Sequence, residues 1–305
     1  MQVKDKYFGG NNVAGEVGIE IEMEGKNFPD PISFTRETND AWTGHHDGSL
    51  RGSSTEIVLS KPVPRDKVKG VLSAAKAVLA DAGTKVIPSV RTGVHVHINV
   101  RHLTEEEVYK FMFCWFLFES VLVRYCGEDR EGNLFCLRGT EAEAYMEALE
   151  EAVRNNDFNV LYTDELRYSA MNPKALIEYG SLEFRCLKTP KDILDVEEWV
   201  NILLKVKDFS QTIEDPVEML DMISRVGGDV LAEECFGELL PKLPAHDWTM
   251  EMFEGLRLIQ PIIFSRQWNT LDFEDVIFGT ELPLTLKEAK NRGVLTAIEV
   301  VELNV

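Results

Sequence analysis

The chain has 305 residues, 44% of them hydrophobic and 28% charged, a globular balance that excludes a disordered chain and suffices for one large domain or two ordinary ones. Its 52 acidic and 32 basic side chains give a formal charge of -20, which disfavours general nucleic-acid binding; divalent metals inside a pocket can still reverse that sign for a nucleotide. Cys114, Cys126, Cys136, Cys186 and Cys235 form no CxxC pair or zinc pattern and read as reduced core thiols, which, with an N-terminus lacking an apolar signal core, suits the cytoplasm.

The first predicted element is a strand over residues 15–24, where Val17, Ile19, Ile21 and Met23 alternate with Glu16, Gly18, Glu20, Glu22 and Glu24. A loop rich in Pro, Asn and Asp follows, then the turn sequence HHDGSLRGS and a short strand, STEIVLS, closed by Pro62 and Pro64. From Arg65 to Ala82 the apolar residues keep helical spacing, with Gly83 where a C-terminal cap is expected. GVHVHINV at 93–100 alternates again. A capping box, Thr104–Glu107, opens a long apolar helix that Cys126-Gly127 ends. Its core, Phe111 to Val123, is too short to span a bilayer and is interrupted by Glu119 and Ser120, so a buried central helix is expected and no membrane contact.

Residues 127–139 read as a polar loop, about 140–155 as a helix, 167–173 as irregular chain and 180–188 as a strand. After Pro190 the patterning is helical alone: Asp192 to Phe209, about 217–225, 229–240 and 249–264, and a terminal helix capped by Thr285 and Glu288. This order predicts an α+β catalytic unit over 1–190, with a helical C-terminal part over 191–305 packed on the same domain.

The strands carry the chemistry. Glu20, Glu22 and Glu24 recur at every second position, so they share a face at a spacing of roughly 7 Å. At that distance and an effective dielectric of about 20, adjacent carboxylates repel by about 2.4 kcal/mol, which a divalent cation relieves. Taken alone, the row also reads as an exposed acidic face. His95 and His97 repeat the arrangement and equally suit an ordinary strand pair. Glu183 and Arg185 repeat it a third time and read singly as a strand ion pair. Jointly, so many ionisable groups on one sheet face are costly without a bound ion.

GIEIE at 18–22, DGSL at 47–50 followed by Glu56, GVHVHIN at 93–99, RYSAMN at 167–172 and SLEFR at 181–185 occur in the order found in amidoligases of the glutamine synthetase and glutamate–cysteine ligase superfamily, which residues 15–188 resemble. The segment from Arg130 to Cys136 is similar to that family's Arg-x-x-Asn-x-x-Cys stretch. The resemblance implies a curved antiparallel sheet flanked by helices, holding two or three Mg²⁺ or Mn²⁺ ions and ATP. It implies an ATP-dependent carboxylate–amine ligase that forms an amide through an acyl phosphate.

By the same resemblance Glu20 is a metal ligand shared with His95 and Glu183, and Glu22 and Glu56 hold a neighbouring ion. His97 contacts phosphate or nucleotide, and Arg185 neutralises the γ-phosphate. Asp47 completes the metal shell or positions substrate, and Arg167 and Asn172 contact substrate or phosphate, or else only stabilise their loop. Partners are then a small-molecule or peptide carboxylate and an amine, with a slight preference for cationic amines such as polyamines from the acidic surface. A monomer or small homo-oligomer is expected, because no counterpart of the glutamine synthetase N-terminal domain is evident. A guanidino-kinase-like phosphotransferase, a metal-dependent hydrolase and a non-catalytic binding protein remain open alternatives. No GxxxxGK[ST] phosphate loop occurs.

Overall fold

The computed structural model describes residues 1–268 except 47, 49 and 246. Its fold is α+β, with an open, curved antiparallel sheet and many helices. The strands are β1 (Val17–Lys26), β2 (Trp42–His45), β3 (Ser54–Leu59), β4 (Lys85–Ile87), β5 (Gly93–Asn99), β6 (Met171–Asn172) and β7 (Ser181–Lys188). They pair in the order β2-β3-β1-β5-β7-β6, and β4 adds to the far end of β1.

The alternation read from the sequence is why β1 sits at the centre. Val17, Ile19, Ile21 and Met23 are at most 1% exposed, while the intervening glutamates are half-buried. Val94, Val96, Ile98, Leu182 and Phe184 complete the same apolar face from β5 and β7. A strand with one face fully apolar resists a one-residue slip, which would drive its charges into the core.

The helices are α1 (Val3–Tyr7), α2 (Pro31–Glu37), α3 (Val68–Asp81), α4 (Glu105–Cys126), α5 (Glu143–Asn155), α6 (Lys174–Tyr179), α7 (Val196–Ser210), α8 (Pro216–Val226), α9 (Gly228–Phe236) and α10 (Trp248–Ile263). The chain divides into two compact units. One comprises residues 1–104, 126–138 and 162–204 and contains the whole sheet; the other comprises 105–125, 139–161 and the described chain from 205 onward.

In the first unit α3 buries Val68, Leu72, Ala75, Val78 and Leu79, the spacing predicted for it. The Trp42 indole of β2 donates to its Val71 carbonyl at 2.9 Å. The second unit is helical. Within it α4 is apolar on all sides and buried along most of its length. Its interruption at Glu119 is accommodated internally: that carboxylate accepts from the Trp115 indole at 3.0 Å and the Gly139 amide at 2.7 Å. Among the described residues no helix is long and apolar enough to cross a membrane.

Two elements fall in the region expected as loop. Asp30 caps α2 by accepting from Ile32 and Ser33, with Pro31 at the first helical position, and β2 follows within a few residues. Strand β6 occupies the stretch expected to be irregular, and the terminal helix predicted at Thr285–Glu288 lies outside the described residues.

Candidate active site on the sheet face

Directly opposed residues of an antiparallel ladder project to the same face. The register sets Glu20 against His95, Glu22 against Glu56, His97 against Glu183, and Glu183 against Asn172. Side chains from β1, β3, β5, β6 and β7 thereby meet on the polar face. Arg185 joins them through a bulge. Val94 pairs with Leu187 and Val96 with Phe184, so Arg185 and Cys186 together oppose His95. The extra residue keeps Phe184 and Leu187 both in register with core-facing valines while Arg185 stays with the charged groups.

At the centre, His95 Nδ1 lies 3.2 Å from Glu20 and 3.5 Å from Glu183, and its Nε2 is 3.9 Å from Glu22. Arg185 binds Glu183 through Nη1, which is also 3.5 Å from His95 Nδ1. The Asn172 amide donates to the second Glu183 oxygen at 2.5 Å and its carbonyl accepts from Lys174 N, so Asn172 fixes the rotamer of Glu183. Glu22 accepts the Gly93 amide at 2.9 Å. That amide is held in place because Arg130, 3% exposed, donates to the Thr92 carbonyl at 2.6 Å. The Arg-x-x-Asn-x-x-Cys segment thus folds as a tight turn that anchors the entry to β5.

His97 Nδ1 meets the Ser181 hydroxyl at 3.1 Å. Its Nε2 is buried 3.4 Å from Glu20, without the alignment of a hydrogen bond, and Arg185 Nε is likewise buried without a partner. Glu20, His97 and Glu183 each offer an atom within 4.8 Å of the other two. A cation among them would satisfy the orphaned nitrogen of His97, and an anion beside Arg185 would satisfy the other. The donor set of two carboxylates and one imidazole fits a hard divalent ion.

Burial by itself would raise Glu20, but contact with His95 and His97 outweighs it and holds the carboxyl well below the usual range. Burial likewise opposes ionisation of Glu183; the charges of Arg185, His97 and His95 override it, and its pKa is lowered. For His97 burial acts downward, yet the carboxylates of Glu20 and Glu183 lift the imidazole above its ordinary value. Both acids are therefore anionic at neutral pH, and the cluster is built to attract positive charge.

Glu20, Glu22, Glu56, His95, His97, Glu183, Arg185 and Asn172 thus come together on one face. One group of ligand atoms placed to hold a cation joins His97, expected as a phosphate or nucleotide contact, to Glu20 and Glu183. Arg167 stands apart. It is exposed on a 3-10 turn with its guanidinium 4.7 Å from the Tyr168 ring centre and bonded to the Tyr168 hydroxyl. Asp47 lies outside the described residues; four positions on, the Arg51 amide donates to Glu24 at 2.9 Å.

Sequence reasoning missed Ser181, although it sits two positions before Glu183 on the same face. It also missed His45, set opposite Glu56 by the pairing of β2 with β3, and Tyr179, whose ring lies edge-on to His97 with centroids 5.8 Å apart.

An open antiparallel sheet whose polar face gathers carboxylates, imidazoles and one guanidinium defines an α+β protein with a sheet-borne candidate metal centre. The chain belongs to the amidoligase family: the family model described as "Putative amidoligase enzyme" matches residues 54–206, half of the chain, and makes this a ligase-type enzyme. That stretch carries Glu56, His95, His97, Arg167, Asn172, Glu183 and Arg185, while β1 with Glu20 and Glu22 precedes it. No curated protein matches the chain.

Proposed function

We propose that the protein joins a carboxylate to an amine at the expense of ATP, on a catalytic sheet of the glutamine synthetase and glutamate–cysteine ligase type. The observation that carries this reading is the convergence of Glu20, Glu22, Glu56, His95, His97, Glu183 and Arg185 on one face, with two buried nitrogens there lacking partners.

A carboxylate is a poor acyl donor. Its oxygen attacks the γ-phosphorus of ATP, ADP leaves, and the resulting acyl phosphate is attacked at carbon by the amine, which expels phosphate and loses a proton. Glu20, His97 and Glu183 would hold one divalent cation, Mg²⁺ or Mn²⁺, and Glu22 and Glu56 a second. Such ions supply Lewis-acid polarisation of phosphoryl oxygens. Asn172 and Gly93 hold Glu183 and Glu22 in fixed rotamers, so these carboxylates need no reorganisation when charge develops. Arg185, lodged at the bulge with its Nε–H unpaired, would supply positive charge and a donor to the transferring phosphoryl group. Arg167 is left to the substrate loop and Asp47 to the metal shell or substrate positioning.

Buried free thiols at all five cysteines support a reducing, cytoplasmic setting, and the protein acts as a monomer or small homo-oligomer. Incubation with MgATP, pooled carboxylic acids and hydroxylamine tests the chemistry. Hydroxamate is expected, with ADP and phosphate in equal amounts. Turnover of an amide without ATP would identify a hydrolase instead, and phosphoryl transfer with no phosphate release would identify a kinase.

A further inference from the structure

Ser181 opens β7 two residues before Glu183, on the same polar face, and pairs with Asn99, the next same-face pair after His97 and Glu183. It is 5% exposed, and among the described residues the one partner of its hydroxyl is His97 Nδ1, at 3.1 Å. The ladder is built from backbone groups and makes no use of that hydroxyl.

An imidazole binds a cation through a nitrogen that carries no proton, so the neutral ring must keep its single proton on the other nitrogen. Around His97 the Glu20 carboxylate pulls the wrong way. It lies 3.4 Å from Nε2 and draws the ring proton to that nitrogen, which would close the ring to a metal. The hydroxyl at Nδ1 is the counterweight. Its oxygen can accept an Nδ1–H and leave Nε2 bare beside Glu20 and Glu183, whose ligand atoms lie within 4.8 Å of that of His97. With the opposite polarity, the hydroxyl donating to Nδ1, the proton would stand on Nε2 among the ligand atoms.

We propose that Ser181 is a positioning residue: it holds His97 in the Nδ1–H tautomer, commits Nε2 to the cation shared with Glu20 and Glu183, and so sets the affinity of that site. This role depends on the cation site of the proposed function, not on amide formation.

His95 lacks such a partner. Its Nδ1 lies 3.2 Å from Glu20 and 3.5 Å from Glu183, and its Nε2 lies 3.9 Å from Glu22. Carboxylates stand at both nitrogens, so no neutral acceptor selects one tautomer. Of the two imidazoles on β5, His97 is the one prepared in advance as a ligand, and the Tyr179 ring braces it edge-on from the side.

The test uses the full chain and the metal alone. Electron paramagnetic resonance reads Mn²⁺ affinity. The imidazole ¹⁵N shifts of Mg²⁺-loaded protein read the position of the His97 proton, with His97→Gln assigning the ring among the six histidines. Ser181→Ala should weaken Mn²⁺ binding about tenfold to a hundredfold, the usual effect of removing the hydrogen-bond partner of a metal-bound histidine. Ser181→Thr keeps the hydroxyl and should bind close to wild type. In loaded wild type the proton should sit on Nδ1, and in Ser181→Ala the shifts should move toward the Nε2–H form. Unchanged affinity in the alanine variant, equal losses in the alanine and threonine variants, a proton on Nε2 in loaded wild type, or no Mn²⁺ binding at all overturns the proposal. If the alanine variant does not fold, the wild-type spectrum decides alone. Failure to form hydroxamate with these results intact would reject the ligase reading and leave the role of Ser181 standing.

Discussion

Glu22 and Glu56 oppose each other across β1 and β3. Directly opposed side chains start roughly 5 Å apart, and two carboxylates there repel by about 3 kcal/mol at an effective dielectric of about 20. Glutamine at position 22 removes one charge yet keeps an acceptor for the Gly93 amide. Glu22→Gln is therefore expected to raise the melting temperature of metal-free protein by a few degrees, at about 2–4 °C per kcal/mol. It should also shrink the further rise on adding Mg²⁺ or Mn²⁺ and abolish turnover. Differential scanning calorimetry with and without metal checks this; a lower metal-free melting point, or an undiminished metal response, would remove Glu22 from the ion site. The residue types at positions 20, 22, 95, 183 and 185 were legible in the sequence because alternation fixes which side chains share a face. That Ser181 and Asn172 hold His97 and Glu183 was not, since a hydrogen bond depends on which strands become neighbours.

The elements carry their own tests. In the helical unit, α10 crosses α4 closely at Gly255, where a Cβ would stand 2.2 Å from the Phe116 carbonyl oxygen. Backbone cannot yield as a side chain tip can, so Gly255→Ala should lower stability by about 1–3 kcal/mol, measured by urea denaturation. A neutral or stabilised variant would mean that the two helices are not so close. In the sheet unit, Lys188 at the end of β7 bonds Asp129 in the turn that anchors β5. Burial opposes ionisation of Asp129, but the Lys188 hydrogen bond and charge prevail, and its carboxyl is held below the ordinary value. A depressed acid stabilises the fold above its unfolded pKa and loses that contribution as pH falls through the folded one. Asp129→Asn should thus cost stability at neutral pH, with the gap to wild type closing below about pH 4. A gap constant with pH would show that the pair contributes nothing. The α2–β2 segment was hidden because its Pro, Asn and Asp residues signal turns; the Asp30-Pro31 pair was the readable helix start.

At the scale of the whole molecule, burial governs the thiols. All five cysteines are free and buried, and burial pushes Cys114, Cys126 and Cys235 upward in pKa. Since only a thiolate reacts, native protein near pH 8 should titrate with Ellman's reagent at under about one thiol per chain in minutes, and at five once unfolded. Rapid reaction of several thiols in the native state would contradict the core packing. The same accounting explains the long apolar stretch at 111–123. Its hydrophobicity alone is ambiguous between bilayer and core, whereas Glu119 with two internal donors belongs to a protein interior.

The amino-acid sequence by itself determined the strand periodicities, the helical character after Pro190, the list of charged groups on polar faces and the resemblance to a family, because side-chain alternation and helical spacing are local properties of the chain. Tertiary structure decided the order of strands, the bulge that retains Arg185, and the grouping of His97 with Glu20 and Glu183. Those depend on contacts between residues dozens of positions apart, whose register is set by packing of the opposite, apolar face and leaves no periodic mark in the sequence.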